Sequence, residues 1–459
     1  MSVKSIASAP QTPLAESSVP NGEVVQPFFK TKSLAIRACA ILAFAYMLSF
    51  LLRTVNSVIS PSLIKEFGLS HSEIGVLTAA YFLSFGLMQV PLGVCLDRFG
   101  PRKTNVTLLF LAVAGCLAFA ASQNVLTLTL SRALIGFGVS GCLMSAMVSF
   151  RMWFSPAMQA KLPSWMMMVG NFGAIASTTP VFLFTEQFGW RVLFVLCAVL
   201  FVVAAFKQWA FLPEHRPKLH QPEDLSVPIK RISAWKGVKI LMAEPMIKGY
   251  MPLAFFGYGG IFAIQSLWIG FCLRDVWGLS KPDAANVLLL AGVLLMVAFL
   301  FQGVWAARLQ RSGHRLFSAI MAGMILYVCV LLAMVFVPVN ISGVWVLWIF
   351  LAISSTVLML IQTEVVQIFP KEWAGRSSTL INAAIFLGAF TVQMTFGVAM
   401  DLLVRWLHLS SVDAFRVSLF IYTCLTGASV WFAYFKNKNK DEVTKEIIAE
   451  RLSQKEQAS

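Results

Sequence analysis

The residue that most invites chemistry in this sequence is an arginine inside an apolar run. Arg53 lies late in a stretch at about 35–60. A charge there costs at least roughly 2.5 kcal/mol on insertion scales, so it should face protein or a water-filled cavity. Asn56 follows three residues on, one helical turn away and on the same face. A guanidinium fork beside an amide suits a carboxylate or similar oxyanion. The alternative is an arginine that snorkels to the interface, its stem in lipid.

Other polar residues inside apolar runs extend this set. Gln89, Asn171, Gln265, Asn382 and Gln393 could line a cavity, or each could hydrogen-bond a neighbouring helix. Tyr258 and Trp268 could stack on a ligand or simply pack. Acids are missing from the middle of the runs. Glu186 and Asp401 sit at run ends, and Glu364 stands near another end, beside Phe369-Pro370-Lys371, where loop arginines are its expected partners. The histidines, His71, His215, His220, His314 and His408, all fall in predicted loops, so no relay for a coupling proton stands out. The eight cysteines lie within apolar runs without metal-ligand spacing. No phosphate-binding G-x-x-x-x-G-K-[S/T] loop is present. Neither a metal, a cofactor nor an enzyme's convergent catalytic groups are expected.

The elements that must position these residues follow from composition. Of 459 residues, 58% are hydrophobic and 12% charged, more apolar surface than a soluble domain can hide. A membrane span needs roughly 20 apolar residues. Runs of that kind fall at about 35–60, 72–95, 104–122, 126–150, 162–185, 190–212, 247–272, 282–305, 315–337, 343–368, 377–401 and 413–435. The expectation is an all-α membrane protein of twelve transmembrane helices in two six-helix bundles, 35–212 and 247–435. A basic cytoplasmic linker at 213–246 would join them. Residues 1–34 and 436–459 read as polar cytoplasmic tails, the first of disordered composition. The net charge of +15 comes from Lys and Arg placed mostly in alternate loops, which is a positive-inside pattern and not a nucleic-acid surface. It puts both termini in the cytoplasm.

The halves repeat. Phe67-Gly-Leu-Ser70-His-Ser-Glu73 matches Trp277-Gly-Leu-Ser280-Lys-Pro-Asp283, each offering a serine cap with an acid three residues on. At the same offset Gly93 matches Gly303 and Arg98 matches Arg308. Parallel repeats are a known transporter architecture.

Gly93-Val-Cys-Leu-Asp97-Arg98-Phe-Gly100-Pro-Arg102-Lys103, in the loop after span two, resembles the signature loop of the major facilitator superfamily, G-x-x-x-D-R-x-G-R-R/K. The resemblance implies that Gly93 and Gly100 let helices approach closely, while Asp97, Arg98 and Arg102 clamp helix ends in one conformation and release them in another. The second copy carries Ala307 where the acid would stand. Arg132-Ala-Leu-Ile-Gly136-Phe-Gly138-Val-Ser-Gly141 is similar to the family's fourth-span motif, implying a structural or gating role for Arg132, Gly136 and Gly138. Phe188-Gly-Trp-Arg191 is also common there. Glu364 is assigned to the same structural group.

Leu52-Arg53-Thr-Val-Asn56 and Phe85-Gly-Leu-Met-Gln89-Val-Pro91 are similar to the anion:cation symporter branch, whose first span often carries D-R-x-N. Members move organic acids, often with protons. The resemblance implies that Arg53 binds the anion, while Leu52 replaces the acid used for proton coupling. The reading is therefore a monomeric secondary transporter of the inner membrane, moving a small polar solute by alternating access. An organic anion is the expected substrate, with a proton or other ion as a possible partner. Alternatives are an exporter of amphipathic compounds and a non-transporting sensor on the same fold.

Overall fold

Spans that are apolar nearly all round can satisfy their backbone only internally, so they fold as helices. The computed structural model describes residues 32–154, 162–213, 234–311, 316–338 and 343–437, with positions 158 and 450. The expected tails and linker therefore fall largely outside the described residues, as do His215, His220 and His314. Within the linker range, Ala234–Met242 forms a short helix.

Ten helices among the described residues are long and apolar enough to cross a membrane. Span two is the first part of His71–Ala120, which kinks at Gly100 into span three. Span five is Leu162–Ala176 continued into Thr179–Phe211, which kinks at Gly189 into span six. The chain is an all-α membrane protein of twelve transmembrane helices in two six-helix bundles. Large apolar side chains such as Leu87, Phe206, Trp209, Phe301 and Trp406 remain exposed on its flanks, as a lipid-facing surface requires.

The two kinks share one local solution. Phe99-Gly100-Pro101-Arg102 and Phe188-Gly189-Trp190-Arg191 each put glycine at positive φ, 78° and 80°, where a side chain would be strained. The following arginine then reaches a carbonyl at another helix end. Arg102 Nη1 donates to Leu212 O at 2.9 Å, and Arg191 Nη2 donates to Ser122 O at 3.2 Å. Cations at helix C-termini satisfy carbonyls that lack an intrahelical donor.

Caps fix the other ends. Ser70 accepts from Glu73 N, and Glu73 accepts from Ser70 N at 2.8 Å, a complete capping box. Ser280 accepts from Asp283 N at 3.2 Å. The same device recurs at Ser410 with Asp413 and at Asn124 with Thr127. Gly136 and Gly138 lie against the backbone of Tyr81 and Ala112, where any Cβ would collide. Gly93 differs from expectation: open space surrounds it, so the close approach lies elsewhere.

Span seven is irregular in a way the apolar pattern does not announce. It alternates α with π-helical stretches at Leu253–Gly259, Ile264–Trp268 and Cys272–Val276. Such bulges often occur at functional sites, because they re-aim side chains without ending the helix.

Candidate functional site

A cavity of about 80 Å³ lies between the two bundles. Span one presents Phe50, Arg53, Thr54 and Ser57, and span eight presents Leu288, Ala291, Gly292 and Leu295. Each set is spaced i, i+3, i+4, i+7, one face of a helix. Span five adds Asn171, Ala174, Ser177 and Thr178, span seven adds Phe262 and Gln265, and span ten adds Trp348 and Ala352.

Arg53 is 7% exposed. Its guanidinium carbon lies 4.4 Å from the ring centre of Phe50, 5.3 Å from Phe85, 5.4 Å from Phe262 and 5.7 Å from Phe386. These rings come from spans one, two, seven and eleven, so both bundles build the cage. Its Nε is buried without a hydrogen-bond partner, and no carboxylate pairs with it among the described residues. Cation–π contacts contribute about 0.5–1 kcal/mol when exposed and ~2 kcal/mol or more when desolvated. They stabilise the charge but leave its hydrogen-bonding capacity unused.

Among the residues singled out from the sequence, the cavity gathers Arg53, Asn171 and Gln265. It does not gather Asn56. That amide donates to Thr78 Oγ1 at 2.7 Å, toward span two. The cavity-facing stripe is 50, 53, 54 and 57, and at about 100° per residue Asn56 stands on the adjoining face, beyond Arg53. Gln89 donates to Phe85 O on its own helix at 3.4 Å. Asn382 accepts from Gln362 at 3.3 Å. Tyr258 tilts against Phe262, with ring centres 5.1 Å apart. Gln393 ties span eleven to span seven: oriented to satisfy its network, its amide nitrogen donates to Ala263 O at 2.7 Å and its oxygen accepts from Trp268 Nε1 at 3.0 Å. Three of these side chains bond a helix neighbour, as intramembrane amides commonly do, and Gln89 bonds its own helix.

Further contacts join the two bundles beyond the cavity. Asp401 accepts from His71 N at 3.2 Å, from His71 Nδ1 at 2.9 Å and from Ser72 N at 2.8 Å. A carboxylate from span eleven thus caps the N-terminus of span two, where backbone donors and the helix dipole favour an anion. Pro61 removes the donor that Ser57 O would otherwise receive, and Arg274 Nη1 from span seven supplies it at 3.0 Å. Thr179 donates to Asn286 at 2.9 Å on a third seam. His71, expected as an idle loop residue, is instead the first residue of a helix and part of these contacts.

The family model for the Major Facilitator Superfamily matches residues 42–393. The chain belongs to the Major Facilitator Superfamily. The uncharacterized transporter YybO of Bacillus subtilis (strain 168) is 24% identical over 273 residues, 56% of this chain and 62% of that protein. The probable L-galactonate transporter of Escherichia coli (strain K12) is 27% identical over 207 residues, 44% of each. The matches thus span less than two thirds of these relatives' lengths. A bacterial homologue of the human lysosomal transporter Spinster shares the fold, with a TM-score of 0.74 at 16% identity, covering 92% of this chain and 99% of that one.

In this superfamily member the signature loop is built around Gly100 and Arg102, as described above. Arg98 is exposed and lies 5.3 Å from the Phe99 ring centre. The side chains of Asp97 and Ala307 lie outside the described residues. Arg132 is fully buried. It donates to Leu52 O at 3.0 Å and lies over the Tyr81 and Phe119 rings at 5.5 and 5.8 Å. Glu364 is buried and accepts from the Tyr250 hydroxyl of span seven.

Sequence reasoning missed the four-phenylalanine cage, the Asp401 clasp and the apolar wall of span eight. Phe50 stood three residues before Arg53 and was visible as a same-face neighbour. Phe85, Phe386 and the Asp401 clasp depend on register between spans two and eleven, which no local pattern carries, while the span eight stripe at 288, 291, 292 and 295 was present in its helical spacing.

Proposed function

We propose that this chain is a secondary transporter that moves a small organic anion across the membrane by alternating access, with Arg53 as its main anion-binding group. The observation that supports this reading is the buried guanidinium at an inter-bundle cavity, held by rings and lacking a carboxylate among the described residues. An oxyanion there would gain charge-assisted hydrogen bonds in a water-poor site, the strong class of such bonds. Asn171 and Gln265 would orient the head group from spans five and seven. L-galactonate, named for one relative, is itself an organic anion. In this reading the Arg132, Glu364 and signature-loop residues act in structure and gating. Symport with a proton or other ion, a monomeric state, an inner-membrane location and cytoplasmic termini with a cytoplasmic 213–246 linker belong to the same proposal. They rest on the Lys/Arg pattern and on the family.

The test is binding and transport in Arg53→Lys and Arg53→Gln. Lysine keeps the charge and loses the planar fork, so affinity should fall appreciably. Glutamine should lose anion binding almost entirely. Wild-type affinity in a well-expressed Arg53→Gln protein would remove the basis of the reading.

A further inference from the structure

We propose that the anion carried by this chain bears one charged head on an apolar, planar body: an arylcarboxylate, not a polyhydroxylated acid. This rests on the anion reading of Arg53 and sharpens it. The cavity has two unlike walls. The N-terminal bundle brings the charge and most of the polar groups, while spans eight and ten bring Leu288, Ala291, Leu295, Trp348 and Ala352. A ligand with hydroxyls on all sides would press some of them against that second wall. Each one buried unpaired costs about 1–3 kcal/mol.

The polar wall is also less generous than its composition suggests. Thr54 donates to Phe50 O at 3.1 Å, Ser57 to Thr54 O at 2.8 Å, Ser177 to Ala174 O at 2.7 Å and Thr178 to Ile175 O at 2.6 Å. The Thr54 and Ser177 hydroxyls also meet each other across spans one and five at 2.7 Å, so one of the two donates there instead of to its own helix, and every one of these protons is spent within the protein. The unspent polar hydrogens lining the cavity belong to Arg53, to the amides of Asn171 and Gln265, and to Trp348, whose indole Nε1 is buried without a partner. Such a site rewards a carboxylate above all, and the side-chain acceptors left for a polyol's hydroxyl hydrogens, two amide oxygens and the hydroxyl lone pairs, all lie away from spans eight and ten, whose lining side chains offer none. The Phe262 ring, on the lining and 5.4 Å from the guanidinium carbon, sets an aromatic face beside the place where the head would sit. A planar ring in the ligand can stack there and against Trp348.

The experiment is ligand binding to the purified full chain, read by thermal shift and calorimetry. The probes are benzoate, phenylacetate, phenylpropionate, gluconate and the neutral phenylacetamide. The best arylcarboxylate should bind about tenfold or more tighter than gluconate, the effect of burying a phenyl-sized apolar surface. Phenylacetamide should bind at least tenfold more weakly than phenylacetate. Leu288→Ser should narrow the preference over gluconate. Should that variant fail to fold, the wild-type ranking decides alone. Gluconate binding as tightly as every arylcarboxylate overturns the proposal and leaves the anion reading standing. Phenylacetamide binding as well as phenylacetate overturns the anion reading, and this proposal with it. Absence of binding by all three arylcarboxylates overturns the proposal, and gluconate then decides the anion reading separately.

Discussion

Asp401→Asn should loosen the clasp between the bundles. The carboxylate accepts three hydrogen bonds from the first turn of span two, two from backbone N–H groups and one from His71 Nδ1. An amide of the same shape has one acceptor atom where there were two, and its NH₂ group must face a donor. At least one bond is lost, together with the favourable charge at a helix N-terminus. Bonds to charged groups contribute about 1.5–3 kcal/mol each. With 13% of the Asp401 side chain and 24% of His71 exposed, solvent screening favours the lower part of that range. A loss of about 2 kcal/mol shifts the open-to-closed ratio roughly thirtyfold. The assay is labelling of a single cysteine at Ser57 by an impermeant maleimide added to intact cells, in a background without native cysteines. The rate should rise in Asp401→Asn, rise further in Asp401→Ala, and rise less in His71→Ala, which removes only the side-chain bond. Labelling unchanged within about twofold in both Asp401 variants would refute the clasp as a determinant of closure, since it corresponds to less than about 0.5 kcal/mol.

Three further outcomes follow. Asp97→Asn should reduce transport while the protein stays inserted and folded, and Ala307→Asp should not raise it; normal transport in the first would show that the acid is dispensable. Single cysteines at Ser5, Gln221 and Gln454 should resist an impermeant outside label in intact cells, and ready labelling of any one would break the proposed topology. Gly138→Val should lower the melting temperature or abolish expression, because its branched side chain would drive into the backbone of Ala112; a variant as stable as wild type would show that spans three and four can separate at little cost.

Hydropathy made the spans legible because a bilayer leaves a backbone few choices. The serine caps at Ser70 and Ser280 were legible for a similarly local reason: a capping box involves four consecutive residues. Ser410 with Asp413 used the same spacing and could have been read in the same way. Span seven's π-helical stretches were not legible, since a π-bulge changes hydrogen-bond partners without changing apolar character. Arg53 stood out as a charge in an apolar run. Its companions did not, because Phe85 and Phe386 reach it only through the pairing of spans two and eleven. The same pairing brings His71 to Asp401, two residues 330 positions apart, one read as a loop residue and the other as a run end. Asn56 was misplaced for a smaller reason: three residues along a helix is a neighbour on the surface, and not always the same wall.

The two arginines that are buried among the described residues separate two meanings of an intramembrane charge. Arg132 is the more completely buried, at 0% against 7% for Arg53. Burial alone would rank it first as a binding group. Yet it spends a donor on Leu52 O, inside one bundle, beside the discontinuity at Val55 where span one is interrupted. Its rings, Tyr81 and Phe119, also come from that bundle. In the proposed alternating access, motion of one bundle against the other would leave all these contacts in place, so Arg132 would hold the N-terminal bundle together throughout. Arg53 has the opposite arrangement. Phe50 and Phe85 belong to one bundle, Phe262 and Phe386 to the other, and none supplies an acceptor. Movement that parts the bundles takes two of its four rings away and lets water reach the charge in their place. In the proposed reading a bound anion would compensate that charge where water is kept out. In the proposed transporter the same guanidinium would therefore recognise a ligand where the two bundles meet, whereas the contacts of Arg132 lie within one bundle, with its Nε and Nη2 buried there without partners.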